Sequence, residues 1–408
     1  VFFALTDEQR ALGDTVRDFL TDRFDLTAVR AVFEDAAGDG HPTELWKAVG
    51  EQGWLAVCVP EEYDGLGLGI LDAQVVARAL GAGVVPGPWL STVLAGEAVR
   101  IAGSEAQRAE LLPRIAAGDL AATVALRGAG RGWGADGVTV SAVPVAGEPG
   151  GEAGGALGAL TGAASPVEYL AVAGLVVVAA TESGTAAGAA GAEGAAGSGG
   201  SGGIGLYLVD PQAAGVTVEP LTSYDGTTRL AALKLEGAHA RRLPGSSAAV
   251  LEDLVRRGAV LTAADLAGIA REALTRTVRY DQERIQFGRP VGSFQALKHH
   301  LADLHVAVTM AEHAAMYAAY AVDAELDDLL LAVAVAKAKA SQAARDATAA
   351  MIQYHGGIGY TWEHETHFFY KRARRLYGAF GDPPSHLERV AALTIDTVAA
   401  ADSSAATV

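Results

Sequence analysis

The chain has 408 residues, half of them hydrophobic, and a formal charge of −17 at pH 7. That length is too great for one simple core and predicts two or three packed units, while the acidic balance opposes a nucleic-acid partner unless a long basic patch is present, and none is. Cys58 is the only cysteine, which excludes an internal disulfide and fits a reducing compartment, so the cytoplasm is the expected location.

The start of the chain, Val1 to Leu5, is apolar but passes at once into Thr6-Asp7-Glu8 without a charged leader, so no export signal is expected. Thr6 and Gln9 have capping-box spacing, and Leu12, Val16 and Phe19 would share one face of the helix that follows. Further helices are predicted near 43–52, 71–82, 87–102 and 105–117, with the turn Pro60 to Gly67 among them. Residues 1–120 are thus read as an N-terminal helical domain.

From Ala121 the pattern changes to short β-branched runs, Val138–Val140, Leu175–Val178 and Gly205–Val209, separated by glycine, and predicts a middle β unit over 121–240. The stretch 169–180 is the most apolar but falls short of the roughly 20 residues needed to cross a bilayer, so no membrane partner is expected. Residues 186–203 are almost purely Gly, Ala and Ser and are expected to be a mobile excursion. Between Pro244 and Pro290, Leu251, Leu254, Val255, Leu266, Ile269, Leu274 and Val278 recur at roughly helical spacing. A second helix carries Leu297, Leu301, Leu304 and Val308, and an alanine-rich third spans about 328–354. Residues 241–408 are therefore expected to form a C-terminal four-helix bundle.

Three segments carry a family resemblance. Arg284-Ile285-Gln286-Phe287-Gly288-Arg289-Pro290-Val291-Gly292-Ser293-Phe294-Gln295 resembles the signature joining two bundle helices of acyl-CoA dehydrogenases. Gln353-Tyr354-His355-Gly356-Gly357-Ile358-Gly359-Tyr360-Thr361 is similar to that family's glycine-rich flavin contact, and Gly53–Val57 with Pro60–Gly67 to its N-terminal turn. The resemblance covers nearly the whole chain. It implies a mainly α fold with a central β-barrel or sandwich and a four-helix bundle, FAD as cofactor, and Arg284, Gln286, Phe287, Gln295, Gln353, Gly356 and Gly357 as cofactor-binding residues, some reaching FAD across a subunit interface. The chemistry agrees: a pyrophosphate needs cations or N–H donors, adenine a flat apolar wall, and glycines admit close backbone approach. Taken singly, Arg284 reads equally as a surface charge, Gln295 as a solvated bundle residue and Gly356-Gly357 as a helix C-cap.

Dehydrogenases of this family abstract an α-proton of an acyl thioester with a glutamate. Counting from Gly357 places Phe380 at the usual base position, and counting back from Arg284 places Gly258 at the position used by a minority of members. Asp382 is a weak candidate base, and Asp382-Pro383 also reads as an N-cap opening a C-terminal helix; Glu252 and Asp253 precede Gly258 but read as solvated helix face. The family's loops that line the flavin are replaced here by Ala125–Gly130 and Ala159–Ala163.

The tail from Gly359 to His364 and Phe380–Pro383 looks most like actinobacterial members that act as one of two unlike subunits in lipid or steroid catabolism. The resemblance therefore implies an acyl-CoA or other acyl thioester substrate, a hetero-oligomer with a second acyl-CoA dehydrogenase-like chain that supplies the base, and otherwise a homo-oligomer. Alternatives are a non-catalytic structural subunit, or a repurposed enzyme of secondary metabolism acting on a carrier-tethered substrate. His364-Glu365-Thr366-His367 has its histidines three apart, so no metal site is expected. The basic run Lys371–Arg375 reads as an anion contact or a solvated helix face.

Overall fold

The computed structural model describes residues 4–145, 156–182 and 203–396. The Gly/Ala/Ser tract lies, apart from Gly203, outside the described residues.

Helix α1 (Asp7–Arg23) begins at the expected capping box, with Gln9 N–H donating to Thr6 Oγ1 at 3.2 Å and Thr6 N–H to Gln9 Oε1 at 3.0 Å. Helix α2 (Leu26–Glu34) escaped the periodicity reading because its nine residues bury only Val29 and Phe33; Asp25 caps it by accepting from the N–H groups of Thr27 and Ala28. Helices α3 (Thr43–Glu51), α4 (Ile70–Ala82), α5 (Trp89–Ala102) and α6 (Glu105–Ala116) follow the predicted segments closely. The intervening turn depends on Gly65, where a Cβ would stand 1.9 Å from the Val59 carbonyl oxygen.

The β strands are β1 (Ala122–Ala125), β2 (Ser141–Pro144), β3 (Leu157–Glu168), β4 (Leu175–Glu182), β5 (Ile204–Val209), β6 (Val216–Leu221) and β7 (Leu230–Arg242). Pairings run β4–β2–β3–β7–β5 and return to β4, so the sheet closes on itself, with β1 parallel beside β4 and β6 beside β7. Leu160, Val176, Val178, Leu233 and Leu235 fill its interior. The run Val138–Val140, expected to be a strand, precedes β2 instead. Thr139 Oγ1 donates to the Ala163 carbonyl there, and a Cβ on Gly162 would lie 2.6 Å from the Thr139 oxygen, so this segment crosses β3 at a bulge without joining a ladder.

The remaining elements are α7 (Ala248–Glu283), the small hairpin β8 (Ile285–Gln286) and β9 (Arg289–Pro290), α8 (Gln295–Asp323), α9 (Leu329–His355), the short α10 (Gly357–Tyr360), α11 (Thr366–Leu376) and α12 (Pro383–Ala391). Helix α7 packs along α4, α8 and α9. Its approach to α4 is close enough that a Cβ on Gly268 would meet the Arg78 carbonyl oxygen at 2.0 Å. The alanines of α9, among them Ala336, Ala340, Ala344 and Ala347, are buried and let it lie equally near. No described helix is long and apolar enough to cross a membrane.

The basic run of α11 divides between surface and interior: Arg374 is exposed, while Arg372 and Arg375 turn inward. Arg372 is buried, its Nη2 donating to Asp265 Oδ2 at 2.6 Å and its Nη1 to the Val85 carbonyl. Arg375 bridges Asp225, at 2.9 Å, and Glu168. These guanidinium groups tie α11 to α7, to the chain after α4 and to the barrel. Removing one partner of a buried pair leaves an uncompensated charge, so Arg372→Met is expected to lower stability by about 3–5 kcal/mol in urea unfolding; a loss below about 1 kcal/mol would mean that Asp265 finds another partner.

Candidate functional site

The two positions at which the base was sought face one another. Gly258, in α7, lies directly beneath the Phe380 ring: a Cβ on Gly258 would come within 2.4 Å of it. Phe380 is 7% exposed and adopts φ +53°, a left-handed conformation that is strained for a side chain of this size. Three groups hold it there. Lys337, fully buried in α9, donates from Nζ to the carbonyls of Leu376, Tyr377 and Gly381 at 3.3, 3.1 and 3.0 Å and to Ser341 Oγ at 2.9 Å. Burial pushes the Lys337 ammonium down to about 7. His386 lies 2.9 Å from the Phe380 carbonyl through Nε2, and burial depresses it to about 4, so the neutral ring must carry its proton on Nε2 to donate. The indole of Trp133 stacks on the Phe380 ring, with centroids 4.5 Å apart.

Arg127 completes a third layer, its guanidinium 4.4 Å from the Trp133 ring centroid. It is half-buried; burial lowers its pKa, its Nε has no partner, and Nη1 donates to the Arg131 carbonyl at 2.7 Å. The stack separates two cavities. One, of about 230 Å³, is mainly apolar and runs inward between Leu90, Leu94, Leu126, Leu230 and Ala379. The other, of about 470 Å³, is a groove bearing Arg127, Arg131, Arg256 and Arg389. Among the described residues, the carboxylates lining these cavities are Glu168 and Asp382. Glu168 is held by Arg375. Asp382 caps α12, accepting from Ser385 N–H at 3.0 Å and Ser385 Oγ at 2.7 Å, and these bonds lower its pKa. Glu252 and Asp253 point to Arg256 and Arg257. None is free to act as a base beside Phe380. The arrangement suits an apolar body in the inner cavity and an anionic arm in the groove.

The seven predicted cofactor residues gather at the other end of the bundle. Arg284 ends α7, Gln295 opens α8, Gln353 and Gly356 close α9 and Gly357 opens α10; there Tyr354 meets His300 of α8 and Tyr280 stacks on His355. Gln286 is exposed, its amide donating to the Ile285 carbonyl at 2.9 Å. Phe287 is 90% exposed and, with Gly288, turns the hairpin at positive φ, its ring edge-on to Phe294. Nothing lies within 4 Å of where a Cβ on Gly356 or Gly357 would stand. These exposed amides, guanidinium, aromatic ring and open glycine backbone fit a dinucleotide. From Gly258 to the end of α7 is about 38 Å of helical rise, so this cluster and the Phe380 stack do not belong to one pocket of one chain.

Among the described residues no group of three or more His, Cys, Asp or Glu side chains is placed to hold a metal ion; His367 stacks on Trp362 and Glu365 pairs with Arg276 at 3.1 Å. Trp133, Lys337 and Asp281 were not singled out from the sequence. A tryptophan flanked by Gly132 and Gly134, and a lysine amid the alanines of α9, were the available signals.

The family models for the acyl-CoA dehydrogenase N-terminal and C-terminal domains match residues 6–119 and 248–393. Acyl-CoA dehydrogenase IpdE2 of Mycobacterium tuberculosis is 30% identical over 388 residues, spanning 94% of this chain and 96% of that protein. Acyl-CoA dehydrogenase FadE34 of the same organism is 31% identical over 398 residues, 96% of this chain and 48% of that protein. Among solved structures, a chain of the ChsE4-ChsE5 complex from Mycobacterium tuberculosis matches with a TM-score of 0.81 at 28% identity, over 96% of this chain and 98% of that one. A Tcur3481-Tcur3483 steroid ACAD variant gives a TM-score of 0.82 at 28% identity, over 96% and 99%.

Beside the cofactor cluster, Asp281 is 1% exposed and neither carboxyl oxygen has a hydrogen-bond partner. Burial raises it to about 6. Because the folded value lies above the unfolded one, its contribution to stability is complete below about pH 4 and is lost as pH rises through 6. Asp281→Asn is therefore expected to be more stable than the parent at pH 7.5, by on the order of 2–3 kcal/mol, and equal to it at pH 4. A pH-independent difference in denaturant midpoints would show that Asp281 is ionised and satisfied in the fold.

Proposed function

The chain belongs to the acyl-CoA dehydrogenase family, and we propose that it is the base-lacking subunit of a two-chain, flavin-dependent dehydrogenase that forms an α,β double bond in an acyl thioester. The observation that carries this reading is the contact of Phe380 with Gly258: the two positions from which the family takes its base are an aromatic ring and a glycine packed together, and the nearby carboxylates are engaged elsewhere. The base then comes from a partner chain. Solved structures similar to this one include a complex of two named chains, ChsE4 and ChsE5, and FadE34 is about twice as long as the segment matched here.

In this reading FAD, when bound, would supply the acceptor for a hydride from the substrate β-carbon. Arg284 supplies positive charge for its pyrophosphate, Phe287 a flat wall for adenine, Gln286, Gln295 and Gln353 amide donors and acceptors, and Gly356-Gly357 unobstructed backbone. Since these groups are a helix length from Phe380, they would serve a site that another chain completes. The residues around Phe380 exclude water and present the acyl group: Trp133 and Phe380 close the inner cavity, and the four guanidinium groups of the groove receive the phosphates of the carrier arm.

A second reading, a structural subunit without chemistry of its own, draws support from the Arg127–Trp133–Phe380 stack, which fills the space beside the family's base position. The visible spectrum of the purified chain, alone and co-expressed with a second dehydrogenase-like chain, separates the two. Flavin bands and turnover are expected only in the pair; flavin near one per chain with turnover in the lone protein would overturn the two-chain reading, and an active pair in which this chain contacts no flavin would leave the structural one. Within the pair, replacing the partner's catalytic carboxylate by its amide is expected to cost at least about a hundredfold in kcat, whereas Phe380→Leu should change kcat by less than about tenfold.

A further inference from the structure

We propose that the acyl group accommodated by this chain is a compact hydrocarbon of about nine or ten carbons, a chain of that length or one or two rings, and not a four-ring body; the proposal rests on the dehydrogenase reading above. The inner cavity measures about 230 Å³. A cavity of about 150 Å³ lined by Leu, Ile and Phe takes up benzene, and scaling by volume gives room for about nine carbons.

One wall is the Arg375–Glu168 ion pair, and Arg375 is anchored a second time by buried Asp225. Displacing Arg375 would break both pairs and strand the Asp225 carboxylate in the interior, so that wall resists a longer ligand. The sides are Leu90 and Leu94 of α5, Leu126 after β1, and Leu230 of β7.

The lining also fixes polarity. Ser91 Oγ donates to the Pro88 carbonyl at 3.1 Å and Thr123 Oγ1 to the Glu168 carbonyl at 2.7 Å, so the polar groups of the interior are already satisfied and call for no polar substituent on the ligand. Arg127, the exception, stands in the wall shared with the groove. It lies where the acyl body would join its carrier arm.

The test is calorimetric titration of the full chain, and of the flavin-loaded pair, with a series of acyl-CoA thioesters: butanoyl, hexanoyl, octanoyl, decanoyl, hexadecanoyl, and one bearing a four-ring steroid acid. Affinity is expected to rise about fourfold per added methylene up to octanoyl or decanoyl, and the hexadecanoyl and four-ring thioesters to bind at least about tenfold more weakly than the optimum. Leu230→Ala should move the optimum up by about two carbons and Leu90→Phe should move it down; the two lie on different elements, so a folding defect in one leaves the other informative. Equal or tighter binding of hexadecanoyl or steroid thioesters overturns the size limit, as does an optimum that neither variant moves. Failure of every thioester to bind strikes at the dehydrogenase reading itself, and with it at the size limit.

Discussion

The buried guanidinium groups of α11 are the constraint from which the rest of the site follows. Arg372 and Arg375 enter the interior only because Asp265, Asp225 and Glu168 are there to meet them. In a low-dielectric interior such pairs are not interchangeable with neighbouring contacts: any shift of α11 along its axis separates charges that water no longer screens. The helix is thereby locked to α7 on one side and to the barrel on the other. The turn that follows it, bearing Phe380, inherits that position, and the inner cavity inherits Arg375 and Glu168 as part of its wall.

Beyond the end of α11 the backbone is held by a different device. Lys337 reaches three carbonyls of the turn with a single side chain, and the Phe380 carbonyl takes a bond from a histidine that burial keeps neutral. Together these offset the strain of a phenylalanine at φ +53°. The same turn could present a carboxylate to the cavity if the side chain were acidic; here it presents a ring, and Gly258 provides the flat surface on which that ring lies. The phenylalanine and the glycine are complementary, since a larger residue at 258 would expel the ring.

What the sequence made legible follows from the range of each interaction. Capping boxes, long amphipathic helices and the glycine turn at Gly65 are set by neighbours a few residues away; α4 and α9 were read with nearly their observed ends and α1 with its observed start. α2 carries too few buried anchors to produce a periodic signal, and Val138–Val140 has the composition of a strand but lies against a bulge, where the partner strand offers no ladder. The basic run of α11 read as an anion contact or a solvated face because the acids that meet Arg372 and Arg375, namely Asp225, Asp265 and Glu168, are more than a hundred positions away. Trp133 was passed over for the same reason: nothing near it in the chain announces that Phe380 will be its stacking partner. The identity of Phe380 and Gly258 could be counted from motifs, but their mutual contact could not.

The length of α7 turns this geometry into a statement about assembly. The helix carries the Phe380 contact in its first third and the cofactor residues beyond its end, separated by about 38 Å of rigid rise. No hinge interrupts it, and its packing on α4, α8 and α9 leaves it no freedom to bend the two regions together. If the proposed dinucleotide contacts and the proposed acyl cavity serve one reaction, each must be completed by surfaces from another chain, and a single copy of this protein holds two unlike halves of two separate sites. A chain in that situation can lose one chemical group, as the Phe380–Gly258 contact suggests this one has, provided that the chain opposite retains it. On the proposed reading the aromatic stack would have a use that a carboxylate would not serve: it would close the apolar cavity of a chain that leaves proton transfer to its partner.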